Sequence, residues 1–259
     1  MLSFRGYFSS PMSDFVCALS IVLPARDERE NLPPLLDEIE AAIAALPERW
    51  RPAEIVVVDD GSTDGTGEWL RVWAAGRPGR RQVIAHDRAR GQSWALWSGF
   101  QAARGAVVAT LDADGQNDPA DLRKLLSLLD EHDLVCGIRV TRRDRWSKRL
   151  ASRIGNGARN FLLGERILDT GCSLKAMRAE FLPRLPWFDG AHRFIPALFS
   201  LFSARIAQQP VNHRPRLRGR THYGSLLRGV RGLRDICRLR RFRRRLQRGL
   251  PLPRPVPPA

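Results

Sequence analysis

Five short runs of apolar, β-branched residues alternate with helical patterns through the first half of the chain, and that alternation restricts the fold more than any other feature. The runs are "LSIVLP" (19–24), "EIVVVDD" (54–60), "RQVIAH" (81–86), "AVVATLD" (106–112) and "DLVCGIR" (133–139). Between them lie "NLPPLLDEIEAAIAAL" (31–46), "STDGTGEWLRVWAA" (62–75), "GQSWALWSGFQAARG" (91–105) and "PADLRKLLSLLDEH" (119–132). In the first of these, Leu32, Leu35, Leu36, Ile39, Ile43 and Leu46 recur at three and four, with prolines in the first turn. Strands apolar on both faces and separated by amphipathic helices predict an α/β fold, a parallel sheet covered by helices on both sides. Ligands of such sheets bind beyond the carboxyl ends of the strands. The acids lie there: Asp59 and Asp60 close the second run, Asp112 and Asp114 the fourth.

After residue 139 the pattern loosens. "RVTRRDRWSKR" reads as a basic loop, in which Arg142, Arg143 and Arg145 are best taken as solvated charge. A helix is expected to about Leu163, and "DTGCSLKAMR" (169–178) then reads as a strand. With 259 residues the chain can bury one substantial core. Its net charge of +16 is unevenly placed, because 15 of the 43 Lys+Arg but one of the 27 acids fall after residue 213. The body is thus nearly neutral, and the basicity belongs to a C-terminal device. The organisation expected is an N-terminal leader (1–18, with Met12 as an alternative start), a catalytic domain (19–223), a basic helical arm (224–248) and a disordered Pro-rich end (249–259). Cys17, Cys136, Cys172 and Cys237 form no CxxC or Cys/His ligand spacing, which points to a reduced cytosolic protein without structural zinc. No stretch approaches 18 uninterrupted apolar residues, so no transmembrane helix is expected; "FVCALSIVLPA" is taken as a first strand, not a signal-peptide core.

The acids carry the chemistry. Alternate carboxylates leaving a strand end, Asp112 and Asp114, form a hard-cation arrangement to which Gln116 adds a neutral oxygen. The competing reading is a turn or helix cap, but Asp118 before Pro119 is the better cap, which releases the pair. In "VDDGSTDGT" (58–66), Asp59 or Asp60 can take a base N–H or a ribose hydroxyl, while Ser62 or Thr63 serves as a helix cap. In "LPARDERENL" (23–32), a strand ending at Pro24 leaves a loop that can lie against a nucleobase, with Arg26 and Glu28 as edge readers; a charged helix start is the plain alternative.

These three segments, in this order and at these distances, resemble the family 2 glycosyltransferases with their A-type nucleotide-sugar fold. The resemblance covers about residues 19–140 and is closest to the polyprenyl-phosphate branch, such as dolichyl-phosphate mannosyltransferases; "DTGCSLKAMR", "HRFIPAL" (192–198) and "VNHRPRLRGRTHYG" (211–224) support that branch. It implies that Pro24, Ala25, Arg26, Glu28, Asp59 and Asp60 hold the nucleotide, with Ala113 beside the substrate. It implies Asp112, Asp114 and Gln116 as holders of Mg2+ or Mn2+, and Arg139, Lys175, Arg193 and Arg214 as phosphate handlers. Asp112, Asp114, Arg139 and Lys175 are then the catalytic set. The reaction implied is inverting transfer of a sugar from a GDP- or UDP-sugar to an undecaprenyl- or dolichyl-type phosphate. Two departures leave the base open: Ala-Arg stands where the family often has an aromatic followed by Asn, and "RARGQSWAL" replaces a Gly-Lys-Gly type of turn.

The basic arm fits this setting. Leu226, Val230, Leu233 and Cys237 share a helical stripe with arginines beside it, and after Leu239 the stripe wanders. Such a helix can lie on an anionic membrane surface at the cytoplasmic face, with a separate membrane subunit as a further partner. Nucleic-acid binding through the arginines is the rival, disfavoured because the arm lacks interleaved aromatics. "FIPALFSLF" (194–202) is expected to be helix core more than exposed surface. Other readings are transfer to another cell-envelope acceptor, and a haloacid dehalogenase-type phosphatase suggested by "LDADG". The latter expects its motif on the first strand, with Thr or Val where Gln116 stands.

Overall fold

The structure, a computed structural model, describes residues 17–77, 79–140, 167–215 and 226–257. The start of the leader, the loop holding Arg142, Arg143 and Arg145, the helix expected to Leu163 and most of 211–224 lie outside the described residues. The strands are β1 (Cys17–Ala25), β2 (Ala53–Asp59), β3 (Arg81–Ala85), β4 (Gly105–Thr110), β5 (Leu134–Arg139), β6 (Lys175–Arg178) and β7 (Ile206–Val211). The helices are α1 (Leu32–Ala44), α2 (Thr66–Ala75), α3 (Gln92–Ala102), α4 (Leu122–Leu126), α5 (Ile195–Ser200) and α6 (Leu226–Gln247), with short 3-10 turns between them.

All seven strands form one sheet in the order β3-β2-β1-β4-β6-β5-β7. Its first four strands are parallel, as expected. The sheet is mixed, however, because β6 runs antiparallel to both β4 and β5. Only Lys175–Arg178 of the expected 169–178 strand is extended. Pairing of Thr110 with Lys175 sets the start of β6 beside the end of β4, so a lysine from a distant segment arrives next to the acids.

Alternation along each strand builds two cores. Leu19, Ile21 and Leu23 of β1 with Ile55 and Val57 of β2 face one side, where Leu32, Leu35, Leu36 and Ile39 of α1 cover them. Val22, Val56 and Val108 face the other, against Trp94, Leu96 and Phe100 of α3 and Leu198 and Phe199 of α5. Helix α3 lies so close to the sheet that a Cβ on Gly99 would stand 2.3 Å from Val22 Cγ1. The "FIPALFSLF" segment is buried core, as expected.

The basic arm departs from its expected seam at Cys237. Ile236, Leu239 and Phe242 of α6 are buried in the second core, and Cys237 is exposed. Of the expected stripe, the side chains of Leu226, Val230 and Leu233 lie outside the described residues; the described part of the apolar seam continues past Leu239 and covers this protein's own core. Residues 251–257 carry no helix or strand, yet Leu252 packs on the same core and Arg245 Nε donates to the Pro251 carbonyl at 2.9 Å. No helix among the described residues is long and apolar enough to cross a membrane.

Candidate active site

The parallel strands bring their carboxyl ends to one edge, where the loops after β1 and β2 are laced together. Asp27 N–H donates to Ser62 Oγ at 2.9 Å, and Asp27 Oδ1 accepts from Thr63 N–H at 2.7 Å. Arg29 N–H donates to Asp64, and Glu28 N–H to Thr66 Oγ1. Ser62 and Thr63 are thus loop ties, not the expected helix caps; Gly65 occupies the N-cap position of α2. Glu28 accepts from Asn31 Nδ2 at 2.5 Å, bracing the entry to α1, while Arg26 is exposed. Pro24 and Ala25 lie in β1, paired with Val58 and Asp59.

The two tandem acids at the end of β2, Asp59 in the strand and Asp60 just past it, divide their work. Asp59 is buried and accepts from Ser62 N–H at 3.1 Å. Asp60 braces the loop before α3: Oδ1 lies 2.8 Å from His86 Nδ1 and accepts from Arg90 N–H at 2.7 Å, and Oδ2 accepts from Gly91 N–H at 2.8 Å. Asp60 thereby fixes where α3 starts, and the first residue of that helix, Gln92, donates to Asp112 Oδ1 at 2.8 Å.

Beyond β4 the acid pair is held from several sides. Asp112 N–H donates to Asn117 Oδ1 at 3.2 Å, and Ser173 Oγ donates to the same oxygen at 2.7 Å. Asp114 is buried and accepts from Gln116 N–H at 3.1 Å. Burial first, and then the charge of Asp114, push the Asp112 carboxyl up to about 6, against the opposing pull of Ser173, Lys175 and Arg139. Asp118 caps the next turn by accepting from Ala120 N–H, as expected. The Gln116 side chain donates to the Arg214 carbonyl at 3.4 Å, and its backbone carbonyl accepts from Arg214 N–H at 2.8 Å.

Among the described residues no group of three or more His, Cys, Asp or Glu is arranged to hold an ion. Two hard carboxylates whose charges work against each other nonetheless suit a magnesium-like ion, which keeps open positions for phosphate oxygens and takes one or two protein carboxylates. Asp112 and Asp114 would be its protein ligands, with Ala113 buried between them.

A cavity of ≈ 220 Å³ opens beside Asp112, lined also by Gln92, Thr110, Gly171, Ser173, Lys175, His192 and Arg193 among others. Lys175 is buried, and its ammonium donates to the Cys172 carbonyl. Of the expected phosphate handlers, Lys175 and Arg193 line this cavity. Arg139 instead makes a two-pronged pair with Asp169 at 2.7 and 2.9 Å, and Arg214 reaches Glu38 at 2.6 Å and Asp118 at 3.0 Å. The nucleotide-loop residues form a separate group at the ends of β1 and β2.

Several contributors escape a reading by motif: Gln92, Ser93, Asn117, Asp169, Ser173 and His192. Ser93 Oγ accepts from Gly190 N–H at 2.8 Å and is hydrogen-bonded to His192 Nδ1 at 2.6 Å, with the imidazole tautomer setting which of the two donates. Burial, then Arg193 and Lys175, drive His192 down to about 3, which keeps the imidazole neutral at the cavity wall. The signal available was slight: a polar pair, Gln92–Ser93, directly after Gly91 at a helix start, and a histidine next to Arg193.

A family model described as "Glycosyl transferase family 2" matches residues 20–185. An undecaprenyl-phosphate 4-deoxy-4-formamido-L-arabinose transferase of Edwardsiella ictaluri is 39% identical over 219 residues, covering 83% of this chain and 66% of its own. A dodecaprenyl-phosphate galacturonate synthase of Rhizobium johnstonii is 37% identical over 215 residues, covering 80% and 62%. The chain thus spans a little under two thirds of the length of these curated relatives. Among solved structures, glucosyl-3-phosphoglycerate synthase from Mycobacterium tuberculosis with Mn2+, UDP and glucosyl-3-phosphoglycerate superposes with a TM-score of 0.63 at 23% identity, covering 88% of this chain and 80% of that one. The same synthase with Mg2+ and UDP gives 0.62. At such identity the likeness establishes the fold, which is the glycosyltransferase A type.

Proposed function

Because this chain belongs to the family 2 glycosyl transferases, we propose that it moves a sugar, with inversion, from a nucleoside diphosphate to a polyprenyl phosphate. The observation that carries the reading is the Asp112–Asp114 pair set against a cavity walled by Lys175 and Arg193. Departure of a nucleoside diphosphate and docking of a lipid phosphate both bring anions to one place, and the cavity meets them with cations. The names of the two relatives, each built on a polyprenyl phosphate, support the same acceptor class.

Within this reading the laced loops after β1 and β2 hold the nucleotide, with Asp59 buried at their base. Asp112 and Asp114 would hold a Mg2+ or Mn2+ ion, which would supply Lewis-acid neutralisation of charge on a departing diphosphate. Gln92, Asn117 and Ser173 keep the acid loop in place. Lys175 and Arg193 orient phosphate oxygens, and His192, neutral and tied to Ser93, lines the same cavity. No residue is needed as general base, since a phosphate monoester with a second pKa of about 6 is mostly dianionic at pH 7.

The arm places the enzyme at its lipid by charge. Its apolar seam is engaged in the core, whereas Arg234, Arg240, Arg241, Arg243 and Arg244 are exposed. Such a face adheres to anionic lipid at about 1 kcal/mol per basic residue and releases in salt. The protein then works peripherally at the cytoplasmic leaflet, with a membrane subunit as an additional partner.

The test is release of UDP or GDP across a panel of nucleotide sugars, with Mg2+ or Mn2+ and with or without polyprenyl phosphate. Metal-dependent release that requires the lipid phosphate is expected. Release with every donor failing, or unaffected by omission of the lipid, would overturn the assignment.

A further inference from the structure

Residues 214–259 hold fifteen arginines and a single acid, Asp235. An acid in so basic a stretch would ordinarily be a solvated partner of its neighbours. Asp235 is instead only 6% exposed, on the face of α6 that packs inward with Ile236, Leu239 and Phe242. Burying a carboxylate is unfavourable without a cation beside it. Its Oδ2 lies 3.5 Å from Arg193 Nη2, and its Oδ1 3.9 Å from Arg238 Nη1.

The neighbourhood is shaped around the first of these pairs. Gly190 has φ +93°, and a Cβ there would stand 2.8 Å from Arg193 Nη2 and 3.0 Å from Asp235 Oδ2. Arg238 lies over Phe188, 4.7 Å from the ring centroid, and Phe188 meets Phe242 edge-on at 6.2 Å. Helix α6 is therefore fastened to the 188–193 turn at its acid and along the two turns that follow it. Arg193 reaches from that turn to the cavity wall shared by Asp112 and Lys175. Its Nε is buried with no hydrogen-bond partner among the described residues. A guanidinium carries five donors, and a 3.5 Å ion pair is longer than a charge-assisted hydrogen bond. Asp235 thus steers the group without saturating it.

We propose that Asp235 is a positioning residue: from the basic helix, behind the cavity lining, it aims Arg193 at a phosphate-bearing substrate in the cavity. This rests on the phosphate-binding reading given above. It also links the surface arm to the cavity through one ion pair.

The test uses the full chain as wild type, Asp235→Asn, Arg193→Gln and the double variant, with inorganic pyrophosphate as calorimetric probe and the arginine Nε–H signals followed by NMR. Asp235→Asn should weaken pyrophosphate roughly tenfold, the factor one charge-assisted hydrogen bond carries. The double variant should bind no more weakly than Arg193→Gln alone. The Arg193 Nε–H signal, identified by its loss in Arg193→Gln, should shift in Asp235→Asn before any ligand is added. An unmoved signal, or losses that multiply in the double variant, would overturn the proposal. If wild type ignores pyrophosphate while the signal still moves, the phosphate reading fails and the positioning contact stands. Should Asp235→Asn fail to fold, Asp235→Glu takes its place, and the same two criteria decide.

Discussion

Two carboxylates at opposite ends of one sheet, Glu54 buried and Asp112 half-buried, meet opposite fates. Glu54, at the amino end of β2, is 2% exposed and accepts from five donors. Ser20 Oγ and Arg104 N–H reach one oxygen, both at 2.6 Å; Gln82 Nε2, Arg104 Nε and Arg104 Nη2 reach the other at 2.5, 3.0 and 2.8 Å. Burial alone would raise its pKa, but these bonds outweigh burial and hold the carboxyl below the ordinary range. Asp112, beyond the carboxyl end of β4, has Gln92 as its side-chain donor and Asp114 as an adverse neighbour, and stands at about 6. A saturated acid ties β1, β2, β3 and β4 together. An acid left short of positive charge marks the place where a ligand supplies it.

Exchange of charge for amide should separate the two most sharply. Asp112→Asn and Asp114→Asn should each lower turnover at least ~100-fold, beyond what loss of a supporting partner of a metal ligand costs, with melting temperature unchanged or raised because a like-charge contact is gone. Glu54→Gln should do the reverse. It should cost about 2–4 kcal/mol in denaturant unfolding, the range for breaking a buried pair moderated by the solvent-reaching Arg104, while turnover per folded molecule persists.

Acid sharpens the contrast. Since the folded-state pKa of Glu54 is held down, its contribution is present above the ordinary carboxylate range and disappears as pH falls through the folded value. Wild type should therefore lose stability on acidification below about pH 4, and Glu54→Gln should show a shallower loss in pH-dependent melts. The smallest effects belong to two glutamines in matching roles. Gln82→Ala, beside Glu54, should cost about 1 kcal/mol and leave kinetics alone. Gln92→Ala, beside Asp112, should leave the melting temperature in place and reduce kcat/KM a few-fold. Exchange of these outcomes would break the comparison.

Legibility followed locality. The strands of the first half announce themselves because both faces of "IVLP", "IVVV" and "AVVA" are buried, and the acid pair stands out because Asp118 already serves as the cap. Strand β7 was hidden: "IAQQPV" lies at the sheet edge, where Gln208, Gln209 and Pro210 are tolerated because one side needs no ladder. The reversal of β6, and with it the meeting of Lys175 with Asp112, depends on a connection through residues 140–174 that no periodicity encodes. In α6, arginines on every face blur the apolar stripe, so the seam through Ile236, Leu239 and Phe242 emerges only when the second core is seen to need it. His192 and Gln92 are polar residues whose partners lie far along the chain, so their local signal is slight.

The central claim, that Asp112 and Asp114 grip a divalent ion together with a nucleoside diphosphate, is met most directly by titration calorimetry of UDP and GDP with and without Mn2+. Wild type should bind one of them tightly only when the ion is present, and Asp112→Asn should abolish that ion-dependent gain while folding normally. Binding that is indifferent to Mn2+, or an ion-dependent gain that survives in the Asp112→Asn, Asp114→Asn double variant, would contradict it.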